Sequence, residues 1–195
     1  MSPAVYPFVQ AAYRYGPRKA PVLALLVHMA EGGGTVGYLS RQPARGVSVH
    51  FVCERSGRIV QMVDLEEVTG SLNPRLIRIS DDPPFVGYNG EEIIYGATAA
   101  QAVLGDWWWR NPNPAVISIE VEGWARDHRL RTGTIIPAGP NLAQRRALVL
   151  WSRDMRARFP TLRGNLAHRD FASYKACPGR AIPWANMGGH GLYRP

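Results

Sequence analysis

The longest apolar run in the chain, residues 22–27, restricts the possible folds more than any other segment. Six consecutive apolar residues that end at His28 and lead into Glu31-Gly-Gly-Gly34 are typical of a buried strand that stops at a loop. The run is about a third of the length that a membrane-spanning helix requires. The segment therefore predicts a buried strand of a soluble protein, with His28 at the end of the strand.

Residues 47–63 predict a β-hairpin, because two alternating stretches are joined through the turn signal Ser56-Gly57. Strict alternation places Val47, Val49, Phe51 and Cys53 on one face, and Ser48, His50, Val52 and Glu54 on the other. On this pattern Cys53 is a small core residue.

Residues 116–122 predict a further strand with apolar and polar residues in strict alternation. Ile117, Ile119 and Val121 point one way, and Ser118, Glu120 and Glu122 point the other. Two carboxylates therefore share one face, and the spacing alone does not choose between them.

Three segments have helical patterns: residues 35–41 with Thr35 as the cap, residues 91–104, and a long helix that follows Asn141. Asn141 is the predicted N-cap of the long helix, and Gln144 completes a capping box. Its buried stripe is formed by Leu148, Trp151, Met155 and Phe159, and five arginines cover much of the remainder: Arg145, Arg146, Arg153, Arg156 and Arg158. Pro160 ends this helix.

A chain of 195 residues with 46% hydrophobic content is long enough for one well-buried core and too short for two ordinary domains. We therefore expect a single domain over residues 1–195, with residues 1–20 as a peripheral N-terminal segment. Strands that alternate with helices, together with a hairpin, predict an α/β fold with a central mixed β-sheet flanked by helices. The irregular segment 64–114 is expected to form a functional loop that walls a cleft.

Residues 167–180 concentrate groups that bind metals or move protons: His168, Asp170, Lys175 and Cys177. The spacing between His168 and Cys177 excludes a shared helix face, so a loop would have to bring both side chains to one ion. Together with His28 they form a set of two imidazoles and one thiolate, and three protein ligands leave a fourth zinc position open to water. An open position is what a catalytic zinc site requires.

Four segments, in this order, resemble the signature segments of the type 2 N-acetylmuramoyl-L-alanine amidases: LLVHMAEGG, VSVHFVCERSGRIVQMV, VISIEVEG and HRDFASYKACPGRAIPW. This superfamily includes peptidoglycan recognition proteins and phage lysozyme-type amidases, and the resemblance spans roughly residues 22–184. It implies zinc ligands at His28, His168 and Cys177, at the C-terminal edge of the strands, with a catalytic lysine at Lys175 and a general base at Glu120. Val49 stands where some members have a catalytic tyrosine, which matches the glutamate-using branch.

Several residues have an alternative, structural interpretation. Glu122 remains a candidate for the base because it shares a face with Glu120, although the resemblance favours Glu120. His50 is interpreted as structural, and Asp170 as a brace for the loop or for His168. Trp107-Trp108-Trp109 would offer platforms for sugars, but aromatic residues beside a helix are more often core. His128 and His190 receive no role.

The resemblance implies peptidoglycan as the partner, and the charge of the chain agrees with an anionic polymer. The net charge is +8, with only two lysines, Lys19 and Lys175, among 23 basic residues and with no block of like charges. Most of the arginines are expected to form a solvated surface, and no nucleic-acid motif accompanies them. We therefore expect a monomer that binds the cell wall, without nucleic acid and without membrane insertion.

The N-terminus carries its basic residues after the mildly apolar stretch and contains Pro3 and Pro7, so it has no pattern of a signal peptide. The expected localisation is synthesis in the cytoplasm and action on the wall after release, as for a bacteriolytic phage endolysin. Two alternatives stay open. One is a cytosolic amidase that recycles soluble muropeptides, and the other is a peptidoglycan-binding module without catalysis.

Overall fold

The computed structural model describes residues 4–41, 46–72, 86–88, 91–93, 97–107, 111–171, 177–179 and 181–193. The helices are α1 (Thr35–Arg41), α2 (Ala97–Leu104) and α3 (Leu142–Arg158). The strands are β1 (Ala24–Met29), β2 (Phe51–Cys53), β3 (Ile59–Gln61), β4 (Val86–Tyr88), β5 (Glu91–Ile93), β6 (Val116–Val121), β7 (His128–Arg129), β8 (Ile135–Ile136), β9 (Gly164–Ala167) and β10 (Gly191–Leu192).

Six of the strands form one mixed sheet in the order β10-β9-β1-β6-β2-β3. Strand β1 is parallel to β6 and to β9, and β2 is parallel to β6, whereas β3 and β10 are antiparallel at the two edges. All six residues of β1 are buried, as the apolar run predicted. The expected α/β domain with a central mixed sheet flanked by helices is thus confirmed.

Helices cover both faces of this sheet because the strand residues alternate between two apolar surfaces. Leu25, Val27 and Ile117 pack with Leu148, Trp151 and Met155 of α3 on one face. Ala24, Leu26 and Val116 pack with Ala100, Val103 and Leu104 of α2 on the other. Burial of each large side chain stabilises the fold by roughly 1.5–3 kcal/mol.

The predicted capping box at the start of α3 is confirmed. Asn141 accepts a hydrogen bond from the Gln144 backbone N–H at 3.0 Å, and the Gln144 side chain accepts one from the Asn141 N–H at 3.0 Å. Gln144 also donates to the Glu122 carbonyl at 2.7 Å. The cap therefore fixes the start of α3 against the C-terminal end of β6.

Two helix predictions need correction. The helix predicted over residues 91–104 begins only at Ala97, because Glu91–Ile93 forms strand β5, which pairs antiparallel with Val86–Tyr88. The sequence Asn89-Gly90 between those strands is a strong hairpin signal, and it competes with the helical pattern of residues 91–104. Thr35 is the first residue of α1 and not the N-cap before it, and its backbone N–H donates to the Glu122 carboxylate at 2.8 Å.

The predicted hairpin of residues 47–63 is confirmed as β2 and β3, and Gly57 adopts a positive φ of 85° in its turn. The alternation fails at its N-terminal end. Phe51 and Cys53 belong to the α3 side of the core, whereas Val49 packs with Val52 in a separate cluster beside α1. The reason is that the regular strand begins only at Phe51, after a bend at His50.

The N-terminal residues run along the outer edge of β3. Val9 N–H donates to the Gln61 carbonyl at 2.9 Å, and Tyr6 packs edge-on against Phe51 with ring centroids 5.1 Å apart. This contact covers an edge strand that would otherwise expose unpaired backbone groups. Within the described part of the chain, none of the helices has the length and apolar character needed to cross a membrane.

Candidate metal centre and adjoining pocket

The parallel arrangement of β1 and β9 brings two histidines to one edge of the sheet. His28 is the fifth residue of β1 and is 3% exposed, and His168 directly follows β9 at the start of a short 3-10 helix. Because the two strands are parallel neighbours, their C-terminal ends meet, although 140 residues separate the histidines in the sequence. Their ring nitrogens Nδ1 lie 3.1 Å apart.

Cys177 completes a group of three donors at this edge. Its thiol is buried, and the Met29 backbone N–H donates to Sγ at 2.9 Å, which fixes the sulfur beside the end of β1. The ligand atoms of His28, His168 and Cys177 all lie within 4.8 Å of one another. The structure therefore brings together the three residues that the sequence analysis selected as metal ligands.

The spacing of these atoms suits a tetrahedral metal ion. Zinc binds imidazole nitrogen at about 2.0–2.1 Å and thiolate sulfur at about 2.3 Å, so two coordinated nitrogens lie roughly 3.3 Å apart. The separation of 3.1 Å between the two Nδ1 atoms is close to that value. The Met29 N–H also orients the Cys177 sulfur, and the thiolate is the form of cysteine that binds metals.

Glu120 lies next to His28, because the two residues are Cα partners across the β1–β6 pair. Its half-buried carboxyl group borders a pocket of about 300 Å³ between α1 and the loop after β1. The other residues around the pocket are Ala30, Glu31, Gly32, Gly33, Thr35, Tyr38, Leu39 and Val47. Burial, and secondarily the negative charge of Glu31, raises the pKa of Glu120 to about 8.

Glu122 has different surroundings, although it follows Glu120 on the same strand face. It is 6% exposed, and its two carboxylate oxygens accept backbone N–H groups of Thr35 at 2.8 Å and Arg55 at 3.2 Å. Both oxygens thus hold loops in place. Of the two carboxylates, Glu120 is the one that borders the pocket.

Glu31 is a pocket residue that the sequence analysis did not select. Its backbone φ is +54°, which is uncommon for a residue other than glycine, and its side chain accepts the Ala125 N–H at 3.2 Å. The signal available in the sequence was a carboxylate three residues after His28, directly before three glycines.

His50 belongs to a buried polar network and lies outside the donor group. Ser118 N–H donates to its Nδ1 at 3.1 Å, and its Nε2 faces the Glu67 carbonyl at 3.1 Å. Burial, together with the positive charge of Arg18, lowers the pKa of His50 to about 3, so the ring is neutral at physiological pH. This environment agrees with the structural interpretation. Cys53 is likewise fully buried in the core, and burial raises the pKa of its thiol to about 12.

Asp170 braces the segment that carries His168. Its Oδ2 accepts the Ala167 backbone N–H at 2.7 Å and contacts His190 Nε2 at 2.8 Å. His190, which received no role from the sequence, therefore ties the C-terminal strand to this segment. His128 stacks on Trp124 with ring centroids 3.7 Å apart.

Lys175, Trp108 and Trp109 lie outside the described residues. Trp107 is half-buried and packs against the α2 side of the core. Together with Lys19 and Asn111 it borders a second pocket. This pocket lies at the N-terminal ends of β1 and β6, whereas His28 lies near the C-terminal end of β1. Of the described residues in segment 64–114, none borders the pocket beside Glu120, and six border this second pocket: Val68, Thr69, Trp107, Asn111, Asn113 and Pro114.

The family model described as N-acetylmuramoyl-L-alanine amidase matches residues 18–180, which is well over half of the chain. No curated protein sequence matches the chain at a significant level.

Solved structures with the same fold include an amidase, an endolysin and a recognition protein. AmiD from E. coli, in complex with the substrate anhydro-N-acetylmuramic acid-L-Ala-D-gamma-Glu-L-Lys, has a TM-score of 0.55 and 21% identity over 91% of this chain and 62% of that chain. The Ph2119 endolysin from a Thermus scotoductus bacteriophage has a TM-score of 0.52 and 16% identity over 93% and 92%. Drosophila peptidoglycan recognition protein SD has a TM-score of 0.55 and 13% identity over 96% and 100%. At these identities the likeness is one of fold.

Proposed function

The chain belongs to the N-acetylmuramoyl-L-alanine amidase family, and we propose that it hydrolyses the bond between N-acetylmuramic acid and L-alanine of peptidoglycan with a zinc ion held by His28, His168 and Cys177. The observation that carries this proposal is the meeting of two imidazoles and one thiol within 4.8 Å at the edge of the sheet. Three donors of this type leave one tetrahedral position open, as catalytic zinc sites do.

Zinc would supply Lewis acidity at this position, lowering the pKa of water toward about 7 and polarising the carbonyl group of the substrate. Glu120 is proposed as the general base, because its carboxyl group borders the pocket next to His28. A nearby cation favours the ionised carboxylate and so lowers its pKa from the value near 8. Glu120 would then accept a proton from the attacking water and return it to the nitrogen of L-alanine as the carbon–nitrogen bond breaks.

Lys175 is proposed to stabilise the negative charge that develops on the carbonyl oxygen. An ammonium group that donates to such an oxygen is commonly worth a few kcal/mol in the transition state. The support for Lys175 is its place two residues before Cys177 in the segment HRDFASYKACPGRAIPW, which resembles a signature segment of the family. Replacing Lys175 by glutamine would keep much of the length of the side chain and remove its charge.

The proposed substrate is the wall polymer, cleaved by a phage-type endolysin after its release from the cell in which it is made. The net charge of +8 supports an anionic polymer. Peptidoglycan is anionic because its stem peptides carry free carboxylates. In the peptide bound to E. coli AmiD, for example, the γ-linked glutamate leaves its α-carboxylate free. That same ligand is a soluble muropeptide, which favours muropeptide recycling as the second candidate function.

Mass spectrometry of fragments released from purified cell walls tests the proposal directly. We expect free stem peptides that begin with L-alanine and glycan strands that keep their disaccharides intact. The protein should contain about one zinc per chain, and removal of zinc with a chelator should stop the release until zinc is restored.

Other outcomes would contradict parts of this proposal. Cleavage of muropeptides without cleavage of intact walls would identify a recycling amidase. Wall binding by metal-free protein that never cleaves would identify a binding module. Full activity after complete zinc removal would refute the metal-dependent mechanism.

A further inference from the structure

The outer face of α3 concentrates positive charge. Arg145, Arg146 and Arg153 are exposed, and no ion pair involves them within the described residues. Arg146 and Arg153 are seven residues apart on the side of α3 opposite to Leu148, Trp151 and Met155, which are buried in the core. Arg145 lies beside them, about 100° around the helix from Arg146. We call these three arginines the arginine face.

The acidic residue of α3 is turned away from the arginine face. Asp154 is the only acidic residue in the sequence of this helix. Its carboxylate accepts hydrogen bonds from Arg158 Nε at 3.0 Å, from the Tyr6 hydroxyl at 3.0 Å and from the Ala4 N–H at 3.1 Å. Asp154 is therefore paired with Arg158 and not with a residue of the arginine face.

Two leucines on the same exposed surface make it amphipathic. Leu142 is 61% exposed and Leu150 is 65% exposed, and they flank Arg146 along the helix. Arg146 and Arg153 are two turns apart, which is about 10 Å along the axis at 1.5 Å per residue. The surface thus offers planar guanidinium groups, beside apolar area, over a length suited to a polymer and not to one small anion.

The arginine face and the proposed catalytic edge are separate surfaces. Helix α3 packs against the sheet face that carries Ile117 and Ile119, whereas Ser118 and Glu120 alternate to the other side. A polymer bound to α3 would therefore leave the pocket beside Glu120 accessible.

We infer that the arginine face binds the free stem-peptide carboxylates of insoluble peptidoglycan, and so holds the enzyme on the polymer that it cuts. The inference rests on the proposed function, because that function brings this polymer to the protein. Guanidinium groups pair with carboxylates through two parallel hydrogen bonds, and a cross-linked wall presents many such carboxylates at once. Binding to several of them gives avidity that one soluble muropeptide cannot provide.

The test compares two triple variants that lose the same charge. The first is the change of Arg145, Arg146 and Arg153 to glutamine, which keeps high helix propensity and removes no ion pair among the described residues. We expect its binding to purified sacculi, measured by cosedimentation of the zinc-loaded full chain at 4 °C and low salt, to weaken about tenfold, as three exposed ion pairs of ordinary strength imply. Its rate on a soluble N-acetylmuramoyl tripeptide should stay unchanged.

The control triple changes Arg126, Arg129 and Arg131, which are also exposed, to glutamine. It should bind sacculi within twofold of the parent protein. Amidation of the wall carboxylates should reduce binding of the parent protein to the level of the first triple and leave that triple unaffected.

Three results would overturn the inference. Equal losses in both triples would show an effect of net charge alone. If removal of phosphate-containing wall polymers reduces binding to sacculi and amidation of carboxylates does not, the arginine face binds a different anion. Unchanged binding of the first triple variant to sacculi would exclude the arginine face as a binding surface. If the parent protein binds sacculi through the arginine face and cleaves neither sacculi nor muropeptides, the proposed function fails and the binding inference stands.

Discussion

Replacing Glu120 by glutamine keeps the shape of the side chain beside the pocket and removes its charge. Burial and the charge of Glu31 raise the pKa of Glu120 from an ordinary value of 4.5 to about 8 in the protein without metal. The folded state therefore disfavours the ionised form. We expect Glu120→Gln to stabilise the metal-free protein at high pH, although it removes the proposed catalytic base.

The magnitude follows from the pKa of this carboxyl group. A rise from 4.5 to about 8 corresponds to about 5 kcal/mol against the ionised form, at 1.36 kcal/mol per pKa unit. Glu120 borders an open pocket, so access of water makes this figure an upper limit.

The pH dependence has a definite sign. Below pH 4.5 the carboxyl group is protonated in both the folded and the unfolded chain, so the glutamate and glutamine proteins should have equal free energies of unfolding. Between pH 4.5 and 8 the folded state binds more protons than the unfolded state, so the stability of the parent protein falls as pH rises. Above pH 8 the difference should be constant, at up to about 5 kcal/mol in favour of Glu120→Gln.

Urea unfolding of the chelator-treated proteins between pH 4 and 9 measures this difference. Glu122→Gln is the matched control, since it makes the same chemical change two residues away. It should lose about 1–3 kcal/mol at neutral pH, because an amide cannot accept both the Thr35 and the Arg55 N–H groups. If Glu120→Gln and the parent protein have parallel pH profiles from 4.5 to 8, the proposed environment of Glu120 is wrong.

In the zinc-loaded protein, Glu120→Gln should keep the metal and lose most of kcat. An unchanged kcat would show that Glu120 is not the general base.

Three further predictions concern the metal ligands, the lysine and the cap of α3. Cys177→Ala should lose zinc and activity together, as measured by metal analysis and peptide release, and a zinc-replete variant would exclude Cys177 as a ligand. Lys175→Gln should keep zinc and the KM for a soluble muropeptide but lower kcat by about 100-fold or more, whereas wild-type kcat would remove Lys175 from the mechanism. Asn141→Ala should lower the free energy of unfolding by about 1 kcal/mol, because the Gln144 N–H loses its acceptor, and the measured change should vanish if the capping box contributes nothing.

The local elements could be predicted from the sequence because they depend on neighbouring residues. The six apolar residues before His28, the hairpin around Gly57 and the capping box of Asn141 and Gln144 each occur in the structure where the pattern places them. The helix predicted over residues 91–104 was wrong at its start, since pairing between β4 and β5 overrides the local helical pattern. Val49 left its expected face because the strand there is not yet regular.

The sequence by itself determined the strands, the long helix and the motif residues, since hydrophobic periodicity and capping act over a few residues. Only the tertiary structure decided which distant groups meet. Parallel pairing of β1 with β9 and β6 brings His28, His168 and Glu120 to one sheet edge. The Glu122 carboxylate accepts two backbone N–H groups, whereas Glu120 borders the pocket. Alternation along one strand does not encode this difference. The physical reason is that the surroundings of a side chain depend on the loops and helices packed over the sheet, which lie far away in the chain.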